Sequence, residues 1–105
     1  MRRGDIFAFR PIAPGGHEQR GQHYAVIVQS DAFLPRSTVL VAPTSTSARA
    51  ASFRPEIEFG DQTTRVLVEQ TAAIESGRLG DFVGVLDAAE RWAVDEALAV
   101  VLDLN

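Results

Sequence analysis

A chain of 105 residues supports one core and is too short for two ordinary domains, so residues 1–105 are expected to form a single domain. Its 46% hydrophobic content and mean hydropathy of +0.01 suit a packed soluble protein and argue against a disordered tail. The absence of cysteine excludes disulfides, thiolate nucleophiles and Cys-ligated zinc, and no apolar run reaches bilayer-spanning length.

The net charge of −4 conceals an uneven distribution. Residues 1–55 carry seven Arg against three acids, whereas residues 56–105 carry three Arg against eleven acids. This asymmetry fits a cationic face that meets phosphates or an acidic partner, and it fits a solvated face equally well. The first apolar stretch is broken by Arg10 and Pro11, which leaves no signal-peptide core. Together with the lack of cysteine, this leads to an expectation of cytoplasmic residence.

In chain order, 5–10 alternates as a β-strand and is ended by Pro11 and by the Pro14-Gly15-Gly16 break. Residues 11–22 show no apolar period, and a loop of that length in so small a domain is more often functional than filler. A buried strand is expected over 24–28, a turn or single helical turn over 31–35, and a third strand over 38–42 that Pro43 stops. A polar loop over 44–52 follows, then an edge strand over 53–59 because it contains Pro55, and a turn at Gly60-Asp61. A short strand is expected over 65–69, followed by 70–74, and the last over 82–86, for about six or seven strands in all. Asp87 with Glu90 forms a capping box that opens an amphipathic helix, whose apolar positions are read as Trp92, Val94, Leu98, Val101 and Leu102. The fold class is therefore mainly β with a C-terminal α-helix, closed as a small barrel.

The residues that can carry chemistry cluster early. His17 and His23 flank Glu18 and Arg20 in or beside the first loop. Two histidines without cysteine or a third spaced ligand fall short of a tetrahedral zinc set, so no metal is expected. Thr44, Ser45, Thr46 and Ser47 follow a buried strand and can offer hydroxyl and backbone donors to an anion, although such a run is often only a loop. Glu69 ends an apolar strand, either as an exposed terminus or as a placed base. Phe53 is read equally as core or as a stacking platform for a base.

Taken in order, Arg3-Gly4-Asp5-Ile6-Phe7, Gly16-His17-Glu18-Gln19-x-Gly21, Ala25-Val26-Ile27-Val28, Pro43-Thr44-Ser45, Val66-Leu67-Val68-Glu69-Gln70 and Val94-Asp95-Glu96-Ala97-Leu98 resemble the MazF/PemK family of toxin endoribonucleases. The Gly16-His17-Glu18-Gln19 segment is similar to the Kid/PemK branch. The resemblance implies an SH3-like, CcdB/MazF-like barrel and a homodimer. It also implies metal-independent, cofactor-free cleavage of single-stranded RNA at short sequences, and silencing by a cognate antitoxin. The implied reaction is attack of a 2′-hydroxyl on the adjacent phosphorus, giving a 2′,3′-cyclic phosphate and a 5′-hydroxyl.

Carried over by position, the resemblance makes Glu69 a candidate base, His17 the loop histidine, and Thr44 with Ser45 the phosphate contact. His23 and Tyr24 stand where many members have Arg then Pro, and Leu67 stands where the PemK branch has Arg. The site is therefore expected to be rewired, with His23 as proton donor and Arg20 as phosphate clamp, since an imidazole titrates near neutrality and a guanidinium does not. Glu18, Gln19, Ser45, Thr46, Arg49, Phe53, Arg54, Arg65 and Gln70 are expected along the RNA path. The alternative is a catalytically silent barrel that acts by binding protein, as a gyrase poison of the CcdB kind or as an antitoxin decoy.

Overall fold

The computed structural model describes residues 1–10 and 23–104. Among the described residues seven strands, β1 (Asp5–Phe9), β2 (His23–Ile27), β3 (Thr38–Ser45), β4 (Glu56–Phe59), β5 (Gln62–Val66), β6 (Ala72–Glu75) and β7 (Leu79–Val85), precede one α-helix, α1 (Ala88–Leu102). The strand order is β4-β5-β3-β2-β1-β7, with β6 paired to β3. All pairings are antiparallel.

The long strand β3 is the hub. Its first half pairs with β6, from Thr38↔Glu75 to Val41↔Ala72, its middle pairs with β2 through Ala25↔Pro43, and its end turns onto β5 through Thr44↔Val66 and Ser45↔Arg65. The sheet has a core on each face. Ile6, Val26, Ala42, Ile57, Val66 and Val68 pack on one side with Val94 and Ala97 of α1, and Ala25, Ile27, Val39, Val41 and Ile74 pack on the other. Strand β2 supplies alternate residues to both clusters, so its apolar run is buried on both sides and carries His23 at its start on a fixed rung. The two ends of the strand order approach each other through Phe59. A Cβ on Gly84 of β7 would lie 3.4 Å from the Phe59 ring of β4, and that ring meets Tyr24 edge-on at 4.8 Å. The result is a half-open barrel.

Several expected boundaries move. Pro43 does not stop β3, which runs on to Ser45: the Pro43 carbonyl accepts from the Leu67 amide at 2.8 Å, and the missing proline N–H is not called on. The edge strand begins only at Glu56, after the turn closed by Arg54 N donating to Ala51 O at 3.0 Å. The strand expected over 65–69 is instead β5, and Glu69 lies in a single 3₁₀ turn, Val68–Gln70. Strand β6 overlaps the segment expected over 70–74, and the last strand begins at Leu79. Gly60 (φ 57°) and Asp61 (φ 65°) form the expected turn, both left-handed as a two-residue hairpin between Phe59 and Gln62 requires.

The capping box is present as read. Asp87 Oδ1 accepts from Glu90 N at 2.7 Å, while Glu90 Oε1 accepts from Asp87 N at 3.0 Å. Glu90 Oε2 also accepts from Glu58 N at 2.8 Å, which ties the helix start to β4. The helix face is a correction: only Val94 and Ala97 are buried, whereas Trp92 is 65% exposed and Leu102 58%. A helix packed on the end of a small sheet covers it with a narrow stripe, and helical spacing alone cannot choose among overlapping stripes.

Candidate functional site

A cleft of about 570 Å³ opens where β2, the end of β3 and the β4–β5 hairpin meet. His23 and Tyr24 line it from β2, Thr44 and Ser45 from β3, Thr46 and Ser47 from the following loop, and Gln62 and Thr64 from β5. The arrangement follows from strand geometry. The β2–β3 ladder ends at Ala25↔Pro43, and just beyond it Thr44 Oγ1 donates to the Tyr24 carbonyl at 3.3 Å, which sets the hydroxyl run beside the start of β2. Ser45 Oγ accepts from Ser47 N at 3.2 Å and curls the loop around that hydroxyl.

His23 is the chemically conspicuous group in the cleft. Its Nε2 is buried and has no hydrogen-bond partner among the described residues. A buried polar atom without a partner carries a desolvation cost, and such atoms gather where a ligand or a transferred proton completes them. His23 also borders a second cleft of about 380 Å³ that contains Arg10 and Asp81.

Glu69 lies outside the lining of the His23 cleft. Both Nε and Nη2 of Arg54 donate to its Oε2, at 2.9 and 2.6 Å, and its Oε1 is buried without a partner among the described residues. The Arg54 guanidinium holds the Glu69 carboxyl below the ordinary carboxylate value, against the opposing effect of burial. Arg54 also covers the half-buried Phe53 ring at 5.6 Å, so that ring face is occupied from within the chain. Arg65 binds Glu56 at 2.7 Å, and Gln70 is exposed at the end of the 3₁₀ turn. Arg49 is exposed and forms no ion pair among the described residues.

The arginine-rich first half is thus less cationic than its charge count suggests. Arg2, Arg3 and Arg54 pair with Asp31, Asp95 and Glu69, so two of the acidic partners come from the second half of the chain. His17, Glu18, Gln19 and Arg20 lie outside the described residues. Sequence reading missed Tyr24, Phe59, Gln62 and Thr64 as lining residues, although the Gly60-Asp61 turn marks a hairpin that folds back on itself. Nothing local in the sequence signals the pairing of Arg54 with Glu69, fifteen positions apart. Among the described residues no three His, Asp or Glu side chains gather as a metal set, and no helix is long and apolar enough to cross a membrane.

A family model described as PemK-like, MazF-like toxin of type II toxin-antitoxin system matches residues 2–102. A Mycobacterium tuberculosis protein named as a toxin is 46% identical over 93 residues, spanning 88% of this chain and 87% of that protein. Endoribonuclease MazF of Staphylococcus epidermidis is 30% identical over 112 residues, spanning 100% of this chain and 93% of that protein. Among solved structures, Mycobacterium tuberculosis toxin MazF-mt6 superposes with a TM-score of 0.81 at 22% identity, covering 96% of this chain and 98% of that one. A MazE-MazF structure from Deinococcus radiodurans superposes at 0.82 with 17% identity, covering 100% of this chain and 97% of that one. Likeness at these identities speaks to fold, and the fold is the small MazF-like barrel with a C-terminal helix that the sequence led us to expect.

Proposed function

We propose that this chain, which belongs to the PemK-like, MazF-like toxins of type II toxin-antitoxin systems, is an endoribonuclease that cuts single-stranded RNA in the cytoplasm, with the His23 cleft as its reaction site. The observation that carries the reading is the buried Nε2 of His23, unpartnered among the described residues, on a side chain that lines the same cleft as the hydroxyl run Thr44–Thr46. A neutral imidazole accepts the 2′-hydroxyl proton as the 2′-oxygen bonds to phosphorus, then returns it to the 5′-oxygen as the P–O5′ bond breaks. The products are a 2′,3′-cyclic phosphate and a 5′-hydroxyl. Hydroxyls of Thr44, Ser45 and Thr46 hold the phosphate oxygens, Thr44 turning from the Tyr24 carbonyl to do so, and Arg20 and His17 are assigned to neutralise the phosphorane. Glu69, already neutralised by Arg54, is assigned no proton transfer.

The partner reading rests on the relatives: an endoribonuclease from a mycobacterial species is solved in complex with its cognate antitoxin. An antitoxin with an acidic segment suits the cleft, near which Arg10 and Arg49 have no ion pair among the described residues. A homodimer is supported by the exposed apolar side chains of Phe82, Val83 and Val85 on the edge strand β7. The test is to map cut sites on a long defined RNA with purified protein and no added metal. Discrete cuts with 5′-hydroxyl ends support the nuclease. Intact RNA, with broken DNA in cells producing the protein, would replace it with the protein-binding reading of a gyrase poison.

A further inference from the structure

Two arginines of the site region are used in the same unusual way. Arg54 donates from Nε and Nη2 to Glu69 and from Nη1 to the Arg49 carbonyl at 3.1 Å. Arg65 donates from Nη2 to Glu56 at 2.7 Å and from Nη1 to the Ala48 carbonyl at 3.2 Å. Each guanidinium therefore bridges a carboxylate on the barrel and a carbonyl of the loop, and the two carbonyls are consecutive. The loop they grip leaves the cleft at Thr46 and Ser47 and returns to the sheet at Glu56. Residues 48 and 49 have no ladder of their own, and among the described residues these bridges hold the segment together with the Ser45–Ser47 hydrogen bond and the Ala51–Arg54 turn. A planar group with donors on two edges is suited to this, because fixing one edge on a carboxylate aims the other.

We propose that Arg54 and Arg65 are positioning residues, a double clamp that fixes the loop carrying Thr46, Ser47 and Arg49 against the cleft, with Glu69 and Glu56 as its anchors. The inference rests on the nuclease reading above and changes the roles of three residues. Arg54 and Arg65 are withdrawn from phosphate binding, and Glu69 is an anchor for the clamp, not a base. The clamp places hydroxyls that touch the phosphate, so its loss is felt in turnover more than in affinity.

The test compares Arg54→Ala, Arg54→Lys and Glu69→Gln in single-turnover cleavage of a short RNA, in binding of the same RNA with a 2′-deoxy residue at the cut, and in amide exchange over residues 46–54. For Arg54→Ala the clamp predicts cleavage slower by about 10- to 100-fold, affinity for the uncleavable RNA within about twofold of the parent, and faster exchange in the loop. Arg54→Lys, able to reach one anchor at a time, restores part of the rate. Glu69→Gln keeps an acceptor oxygen for Arg54 and slows cleavage by only about fivefold. Loss of more than about 100-fold in Glu69→Gln, the scale of a missing general base, would overturn the anchor role. Weaker binding by Arg54→Ala with a salt slope reduced by about one would make Arg54 a phosphate ligand and overturn the clamp. Unchanged loop exchange in Arg54→Ala overturns it as well. Absence of cleavage by the parent protein would defeat the nuclease reading alone, because the exchange measurement tests the clamp without turnover.

Discussion

At the scale of single residues, the site is defined by which polar groups are satisfied and which are not. Arg3 shows the satisfied case: its guanidinium binds the Val28 carbonyl and Asp95, which pins the start of β1 to α1. His23 shows the opposite case, with a ring nitrogen buried and unpaired among the described residues. Glu69 stands between, one oxygen accepting two hydrogen bonds and the other without a partner among the described residues. Its carboxyl is held below the ordinary value chiefly by the Arg54 hydrogen bond, so the folded state binds this proton less readily than the unfolded state. The pairing therefore stabilises the fold fully above the ordinary carboxylate range and ceases to do so as pH falls through the lowered value. The stability difference between the parent and Glu69→Gln, followed by thermal unfolding, should be constant near neutrality and shrink on acidification. A difference that grows toward low pH contradicts the pairing.

At the scale of elements, the strand hub and the helix carry different loads. Val94 is 2% exposed in the core beneath α1, and Trp92, on the same helix, is 65% exposed. Val94→Ala should cost about 2 kcal/mol, whereas Trp92→Ala should fall within about 0.5 kcal/mol, as read by denaturant unfolding of dilute protein. A larger loss from Trp92→Ala would mean that the indole is covered in solution.

The same contrast explains what could be read in advance. The capping box and the Gly60-Asp61 turn are short-range devices, so their residues announce them. The buried face of α1 depends on what lies beneath it, and the Arg54–Glu69 pair depends on the β4–β5 hairpin returning the chain between them, so neither has a local signature. Proline at position 43 reads as a stop only if a ladder needs its N–H, which β3 does not require there. Family resemblance supplied the roles proposed for Thr44 and His17, which periodicity alone could not. It also suggested Glu69 as a base, before the structure paired that carboxylate with Arg54.

At the scale of the whole molecule, charge decides how RNA is met. Three arginines of the first half are bound to acids, which leaves Arg10, Arg36 and Arg49 among the described residues, with Arg20 outside them. With about four phosphate contacts on a single strand, the logarithm of affinity should fall with the logarithm of salt at a slope of about −3. A slope near zero speaks against the surface, and a much steeper one would mean that the paired arginines leave their acids for RNA.

The central claim is that the His23 imidazole moves the proton during RNA cleavage. Single-turnover cleavage by His23→Ala, beside binding of the 2′-deoxy RNA, tests it most directly. The expected result is a rate lower by about 10²- to 10⁴-fold with binding and fold retained; cleavage at the parent rate, with the same 5′-hydroxyl ends, would contradict it.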